Sequence, residues 1–377
     1  MPNRLELLHN EGQSIWLDYI DRTMLQNGDL ERRIREDALT GMTSNPTIFE
    51  KALSEGSAYD EQLLSADPGT PPERLFELVE TTDVQRACDL FGGAYQSTRG
   101  ADGYVSIEVS PGVADDSQKS IDEAFRLWKE VDRPNVMVKI PGTEQGALAV
   151  RELISRGINV NITLLFSLQA HERVIDAYMT GLEDRVAKGE PIDGIFSVAS
   201  FFVSRVDTEV DKRLDGMIKS AKGGDADRFR LLQGRAAIAN AKLAYRLFRQ
   251  KFSEQRWKVL ADKGGRLQQP LWASTSVKNP AYRDVMYAEE LIGSDTIDTM
   301  PPKLIDAFRD HGTVERTVDK RVGAAEGVLR EIEAVGISMK DVTDTLLREG
   351  LASFQKSFDT LTAGIAKKMS ALAASTK

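Results

Sequence analysis

Three apolar runs each end in a charged residue where a buried strand would ordinarily carry none: Ser14-Ile-Trp-Leu-Asp18, Tyr104-Val-Ser-Ile-Glu108 and Asn135-Val-Met-Val-Lys139. In parallel β/α architectures the C-terminal strand ends are where active sites are built. Side chains alternate along a strand, so Lys139 shares a face with Met137, while Val138 and Ile140 share the other. If both faces are covered, the lysine is partly desolvated, which disfavours the ammonium and makes a nucleophilic amine accessible near neutral pH. A single lysine at a strand end is ordinarily a rim residue with its head in water. Charges of both signs at equivalent ends of three strands also fit a Lys–carboxylate cluster able to form an imine and move protons. On pattern alone both readings stand.

Further polar groups sit at strand ends. Thr43-Ser44-Asn45-Pro46-Thr47 directly follows the second apolar run, and the proline pushes Asn45 toward an extended or turn backbone. Taken alone this is an ordinary turn. Asn159-Val-Asn161-Ile-Thr163 places three polar side chains on one strand face. Such a stripe is either a solvated face or a set of hydrogen-bonding groups for a polyhydroxylated ligand. Ser200 and Arg205 after the sixth strand, and Ser276 with Lys278 after the seventh, are candidates for phosphate, since late-strand loops and adjoining helix N-termini bind it in barrels. An arginine near a helix start is otherwise a salt-bridge former on the surface.

Other chemistries lack their residues. His9, His171 and His311 are scattered without metal-ligand spacing and Cys88 is the single cysteine, so a metal site is not expected. There is no P-loop, no dinucleotide-binding glycine motif after a strand, and no nucleophile elbow. Carbonyl activation without a metal needs an amine, and Lys139 is the placed candidate.

The elements that must hold these residues alternate. Apolar runs rich in Val, Ile and aromatics predict strands at 14–19, 38–42, 103–109, 135–140, 157–163, 193–198, 270–275 and 294–298. Amphipathic stretches between them predict helices at 117–131, 145–156, 167–188, 203–217 and 225–252. Alternation implies parallel pairing through right-handed crossovers. Eight units suggest a closed (β/α)8 barrel, although an open doubly wound sheet has a similar period. The Pro-rich break Asp67-Pro-Gly-Thr-Pro-Pro72 and the polar turns at 219–225 and 262–269 read as insertions rather than domain linkers. From Thr313 onward the pattern is helical and charged, consistent with helices appended to one domain and reaching over one barrel end.

With 377 residues, 41% hydrophobic and 28% charged, the chain has a soluble globular profile. A formal charge of −9 argues against nucleic acid or an anionic membrane as the main partner, but not against small phosphorylated ligands met by local cations. The lone cysteine, the first ten residues without a signal-peptide core, and the lack of a spanning apolar run point to the cytoplasm. The sequon Asn161-Ile-Thr163 is then expected to be silent.

The segments TGMTSNPTIFEKAL (40–53), YVSIEVSPGVADD (104–116), NVMVKIPGTEQG (135–146), INVNITLLFS (158–167), SFFVSR (200–205) and PLWASTSVKNPAY (270–282) together resemble the transaldolases. GRAAIANAKLAY (234–245) and EELIGSDTIDTMP (289–301) resemble their longer bacterial branch. The resemblance implies a TIM barrel, no cofactor, and transfer of a dihydroxyacetone unit between sugar phosphates in the non-oxidative pentose phosphate pathway. It places the Schiff-base lysine at Lys139, the proton-transfer aspartate at Asp18, and the groups handling the catalytic water at Glu108 and Thr163. Asn45 and Asn161 match ligands of substrate hydroxyls, Ser200 a serine that holds the ketol unit, and Arg205 and Ser276 phosphate binders. Lys278 stands where many relatives have arginine, keeping the charge but losing the bidentate fork. Phe202 occupies a position where free-aldolase relatives tend to carry tyrosine. Rival readings are such an aldolase, a glycoside hydrolase using Asp18 and Glu108 as a carboxylate pair, and a non-catalytic sugar-phosphate binder.

Overall fold

A computed structural model describes residues 3–54, 56–67 and 69–375. Eight parallel strands close into a barrel in chain order: β1 (Gln13–Asp18), β2 (Leu39–Thr43), β3 (Val105–Glu108), β4 (Val136–Pro141), β5 (Val160–Leu165), β6 (Ser197–Phe202), β7 (Gln268–Ala273) and β8 (Thr296–Met300), with β8 pairing back onto β1. The open-sheet alternative is excluded by that closing pair. Strands covered on both faces need apolar side chains on both, which is why they read as nearly continuous Val, Ile and Leu runs. Residues paired in register across parallel neighbours share a face. Glu108 pairs with Lys139, Lys139 with Asn161, and Asp18 with Thr43. Register therefore brings groups distant in sequence to one level of the barrel interior.

Each strand sits within a few residues of its predicted place, but the sixth departs furthest. It was expected at 193–198 and runs over Ser197–Phe202, so Ser200 and Phe202 lie on the strand and not in the loop after it. The serines at 197 and 200 mask the apolar run, yet both are satisfied inside: Ser197 Oγ donates to the Val160 carbonyl at 2.8 Å and Ser200 Oγ to Asn161 Oδ1 at 2.7 Å. β5 carries an irregularity between Ile162 and Leu165, with Leu164 at φ +59°.

Several helices start on side-chain caps that the sequence supplies: Asp116 accepts from Lys119 N–H, Thr143 from Gly146 and Ser167 from Ala170. The single helix expected over 225–252 is two, Asp225–Arg230 and Ala236–Lys251. Buried carboxylates on the Ser204–Ser220 helix end the first and start the second. Asp211 accepts from Gly234 N–H at 3.0 Å and Asp207 from Ala237 N–H at 2.8 Å, capturing donors that a continuous helix would have paired internally. Gly234 turns the chain at φ +68°.

Beyond β8 the chain is helical. Val322–Ala334 packs on Ala236–Lys251, and the 37-residue helix Met339–Ser375 crosses the barrel mouth, packing on Pro46–Ser54, Pro72–Leu90, Ser204–Ser220 and the end of β5. The expected break at 67–72 separates the helices Asp60–Ser65 and Pro72–Leu90; its Pro68 lies outside the described residues, as does Met1. Among the described residues no helix is long and apolar enough to cross a membrane.

Candidate active site

A cavity of about 390 Å³ opens at the C-terminal strand ends. Asp18, Asn45, Lys139, Thr163, Ser200, Phe202, Arg205, Ser276 and Lys278 all line it, drawn from six different strands or the loops that follow them. Two residues singled out with them do not. Glu108 reaches the site through Lys139, and Asn161 lies under the floor.

Lys139 is 5% exposed, on the inner face of β4. Its Nζ donates to the Ser44 carbonyl at 3.0 Å and to Glu108 Oε2 at 3.1 Å, and the side chain borders the cavity. The ion pair is almost wholly enclosed, so removing either partner strands a buried charge. Glu108 is held above its ordinary pKa by burial, with Lys139 opposing and Asp18 adding. It also borders a second cavity of about 280 Å³ beside Glu80, whose carboxyl is pushed well up by burial and by the charges of Glu108 and Glu123.

Asp18 ends β1 across the cavity. Burial raises its pKa, while Lys139, a hydrogen bond from Thr43 and the charges of Lys278 and Arg205 pull it down. Thr43 Oγ1 lies 2.9 Å from Asp18 Oδ1 and 2.7 Å from Thr299 Oγ1, which orients the carboxylate. Thus a buried amine stands between two carboxyl groups, each shifted toward its protonated form. Such a set can exchange protons near neutral pH.

The polar stripe on β5 divides. Asn159 is spent on neighbouring strands, donating to the Pro134 and Val136 carbonyls and accepting from Phe196 N–H, so it does not face a ligand. Asn161 is fully buried, donating to Ser106 Oγ at 2.9 Å and accepting from Ser200. It orients Ser200 rather than presenting its own amide. Thr163 Oγ1 is buried and has no hydrogen-bond partner within the described protein, and it borders the cavity. A buried hydroxyl in that condition suits a polar ligand or a water. Asn45 both caps the Pro46–Ser54 helix, accepting from Ile48 N–H at 3.1 Å, and lines the cavity.

At the other end of the cavity lie Arg205, on the first turn of the Ser204–Ser220 helix, and Ser276 and Lys278 after β7. Among the described residues neither cation is held in an ion pair, unlike most arginines of this chain. Arg205 stacks over the Phe202 ring, with its guanidinium carbon 5.3 Å from the centroid. Two cations, a hydroxyl and a helix N-terminus form an anion site. Lys278 stands at the exposed rim, Arg205 deeper. Among the described residues no group of three or more His, Cys, Asp or Glu is arranged to hold a metal.

Sequence reasoning placed Thr43 and Ser44 in a strand-end motif but gave them no role, though the Ser44 carbonyl fixes the lysine and Thr43 holds Asp18; it missed Thr299, which bonds Thr43, and Phe354, which reaches the cavity from the C-terminal helix. Thr299 carried a faint signal, a hydroxyl on a buried strand in IDTMP. Phe354 carried none.

A family profile described as Transaldolase/Fructose-6-phosphate aldolase matches residues 15–365. The chain is 41% identical over 376 residues to a transaldolase of Trichodesmium erythraeum, covering 99% of each. It is 44% identical over 373 residues to a transaldolase of Thermobifida fusca, covering 98% of this chain and all of that protein. A protein named transaldolase 2 from a Nostoc species is 42% identical over 366 residues, covering 95% of this chain and 96% of its own length.

Proposed function

The chain belongs to the transaldolase/fructose-6-phosphate aldolase family of enzymes, and from that membership we propose that it moves a dihydroxyacetone unit from a ketose phosphate to an aldose phosphate through an imine on Lys139. The donors are fructose 6-phosphate or sedoheptulose 7-phosphate, and the acceptors glyceraldehyde 3-phosphate or erythrose 4-phosphate, as in the non-oxidative pentose phosphate pathway. The observation that carries the reading is the buried Lys139 amine, 3.1 Å from Glu108 on a cavity shared with Asp18, with Arg205 and Lys278, which hold no ion pair among the described residues, at the far end.

Arg205, Ser276 and Lys278 hold the phosphate and thereby set which carbon faces Lys139. The neutral amine adds to the C2 carbonyl. Glu108, whose pKa its enclosure raises, takes the proton of the Lys139 ammonium and returns it through water held at Thr163, so the carbinolamine hydroxyl leaves as water and the iminium forms. The iminium is an electron sink. Asp18 takes the C4 hydroxyl proton, the C3–C4 bond breaks, and the aldose phosphate departs, leaving a three-carbon enamine. Asn45 and Ser200 hold the hydroxyls of the retained unit. An incoming aldehyde then captures the enamine, and the same proton steps run in reverse.

Borohydride reduction in the presence of fructose 6-phosphate, followed by peptide mapping, tests this. The adduct is expected on Lys139 and absent from Lys139→Ala; a wild-type adduct on another lysine, or none, removes the mechanism. Because the matching profile also spans fructose-6-phosphate aldolases, release of free dihydroxyacetone is the second reading. The apolar Phe202, 7% exposed at the cavity, favours retention of the unit. Measuring free dihydroxyacetone with and without acceptor separates the two.

A further inference from the structure

The helix Met339–Ser375 is seated on the barrel mouth by one stripe at helical spacing. Gly350 faces Leu164 and Arg205, Phe354 borders the main cavity, Ser357 Oγ lies 2.9 Å from Thr47 Oγ1, and Phe358 meets the Phe76 ring edge-on at 5.9 Å. Lys368 then pairs with Asp60 at 2.7 Å. These contacts tie the helix to β5 itself and to segments following β2 and β6, the strands that carry or precede Thr163, Asn45 and Phe202. The approach is close at Gly350: a Cβ there would lie 3.0 Å from Leu164 Cδ2 and at contact distance, 3.5 Å, from an Arg205 guanidinium nitrogen, so a longer side chain has no room. One turn further on, the helix delivers an aromatic ring, 6% exposed, to a cavity whose floor is Lys139, Asp18 and Thr163.

We propose that this helix is part of the active site, with Phe354 the specificity-determining roof that keeps water from the bound three-carbon unit, and Gly350 the clearance that lets the roof close beside the phosphate-binding arginine. The proposal rests on the enamine reading above. An enamine has two fates. Carbon–carbon bond formation with an aldehyde gives transfer. Protonation from water at the nucleophilic carbon makes a C–H bond and regenerates the iminium; water then adds at C2, the C–N bond breaks, and dihydroxyacetone and the free amine are released. Transfer also ends with water hydrolysing an iminium, so the fates part at protonation of the enamine carbon, and an apolar wall that keeps water from that carbon selects the first. Phe202 supplies such a wall from the barrel and Phe354 supplies its counterpart from above.

The test uses the full chain with Phe354→Ala, Phe354→Leu and Gly350→Leu, and the exposed Lys356→Ala as control. The readout is the ratio of free dihydroxyacetone released to unit transferred, with fructose 6-phosphate as donor and erythrose 4-phosphate as acceptor. Phe354→Ala is expected to raise the ratio by about tenfold or more, and Phe354→Leu by less. Gly350→Leu is expected to raise both the ratio and the KM for phosphorylated acceptors, with a smaller change for unphosphorylated glyceraldehyde, because it displaces the helix from Arg205. Borohydride tagging of Lys139 should persist in every variant. If wild type is tagged there but folded Phe354→Ala or Phe354→Leu keeps the wild-type ratio, the roof is refuted while the imine stands. If wild type is not tagged at all, the imine reading has failed first.

Discussion

Asp298 offers a test of the barrel's electrostatics that is independent of turnover. It sits on β8 with no exposed surface, accepts a hydrogen bond from Thr275 Oγ1 at 2.8 Å, and its other carboxyl oxygen has no partner within the described protein. Burial, with a contribution from Asp18, pushes its pKa from 3.8 up to about 7. Because the folded value is raised, the folded chain holds this proton more tightly than the unfolded one. Stability is therefore fully present below the unfolded pKa and is lost as pH rises through the folded one. A gap of roughly three pKa units corresponds to about 4 kcal/mol over the whole window, of which about 2–3 kcal/mol falls between about pH 5 and about pH 9. Asp298→Asn keeps the acceptor for Thr275 and removes the titration. Unfolding in urea followed by tryptophan fluorescence, for both proteins across that range, should show the asparagine variant gaining on wild type by that amount as pH rises. Asp207, also raised to about 7, is present in both and cancels in the difference. A difference flat to within about 0.5 kcal/mol would mean that the carboxyl ionises without penalty and the enclosure argument is wrong.

The remaining expectations concern the site and its frame. Arg205→Ala should raise KM for phosphorylated substrates by about 10- to 100-fold, the scale of a lost charged hydrogen bond, whereas Lys278→Arg should leave KM within a few-fold; equal effects from Arg205→Ala and Lys278→Ala would contradict the deeper placement of Arg205. Glu108→Gln should slow imine formation in stopped-flow or rapid-quench borohydride trapping by about 10²–10⁴-fold, and unchanged trapping kinetics would remove its proton from the scheme. Gly146→Ala should destabilise the fold by about 1–3 kcal/mol in denaturant titration, because its Cβ would fall 1.9 Å from the Pro141 carbonyl oxygen and neither backbone can yield cheaply.

Much of this was readable in the chain before any fold was known. The eight strands were visible because a doubly covered strand must be apolar throughout, and Asp18, Glu108 and Lys139 stood out because that rule leaves no ordinary place for a charge. Where the reading slipped, local polarity had hidden a tertiary partner. Ser200 looked like a residue beyond the end of β6 because its acceptor, Asn161, is on the neighbouring strand. The helix over 225–252 looked continuous because the carboxylates that interrupt it, Asp207 and Asp211, belong to another helix.

What the amino-acid sequence alone determined is the inventory: an eightfold β/α alternation and a lysine with two acids at the ends of its strands. Only the closed barrel decided that Glu108 and Lys139 share a register pair, that Asn161 accepts from Ser200 beneath the cavity, and that Phe354 returns to a cavity built some 340 residues earlier from Asp18 onward. The physical reason is range. Covering both faces of a strand constrains residues one and two positions apart, and so it writes itself into local pattern. Which side chains meet across the barrel mouth depends on strand register and helix seating, and neither has a period in the chain.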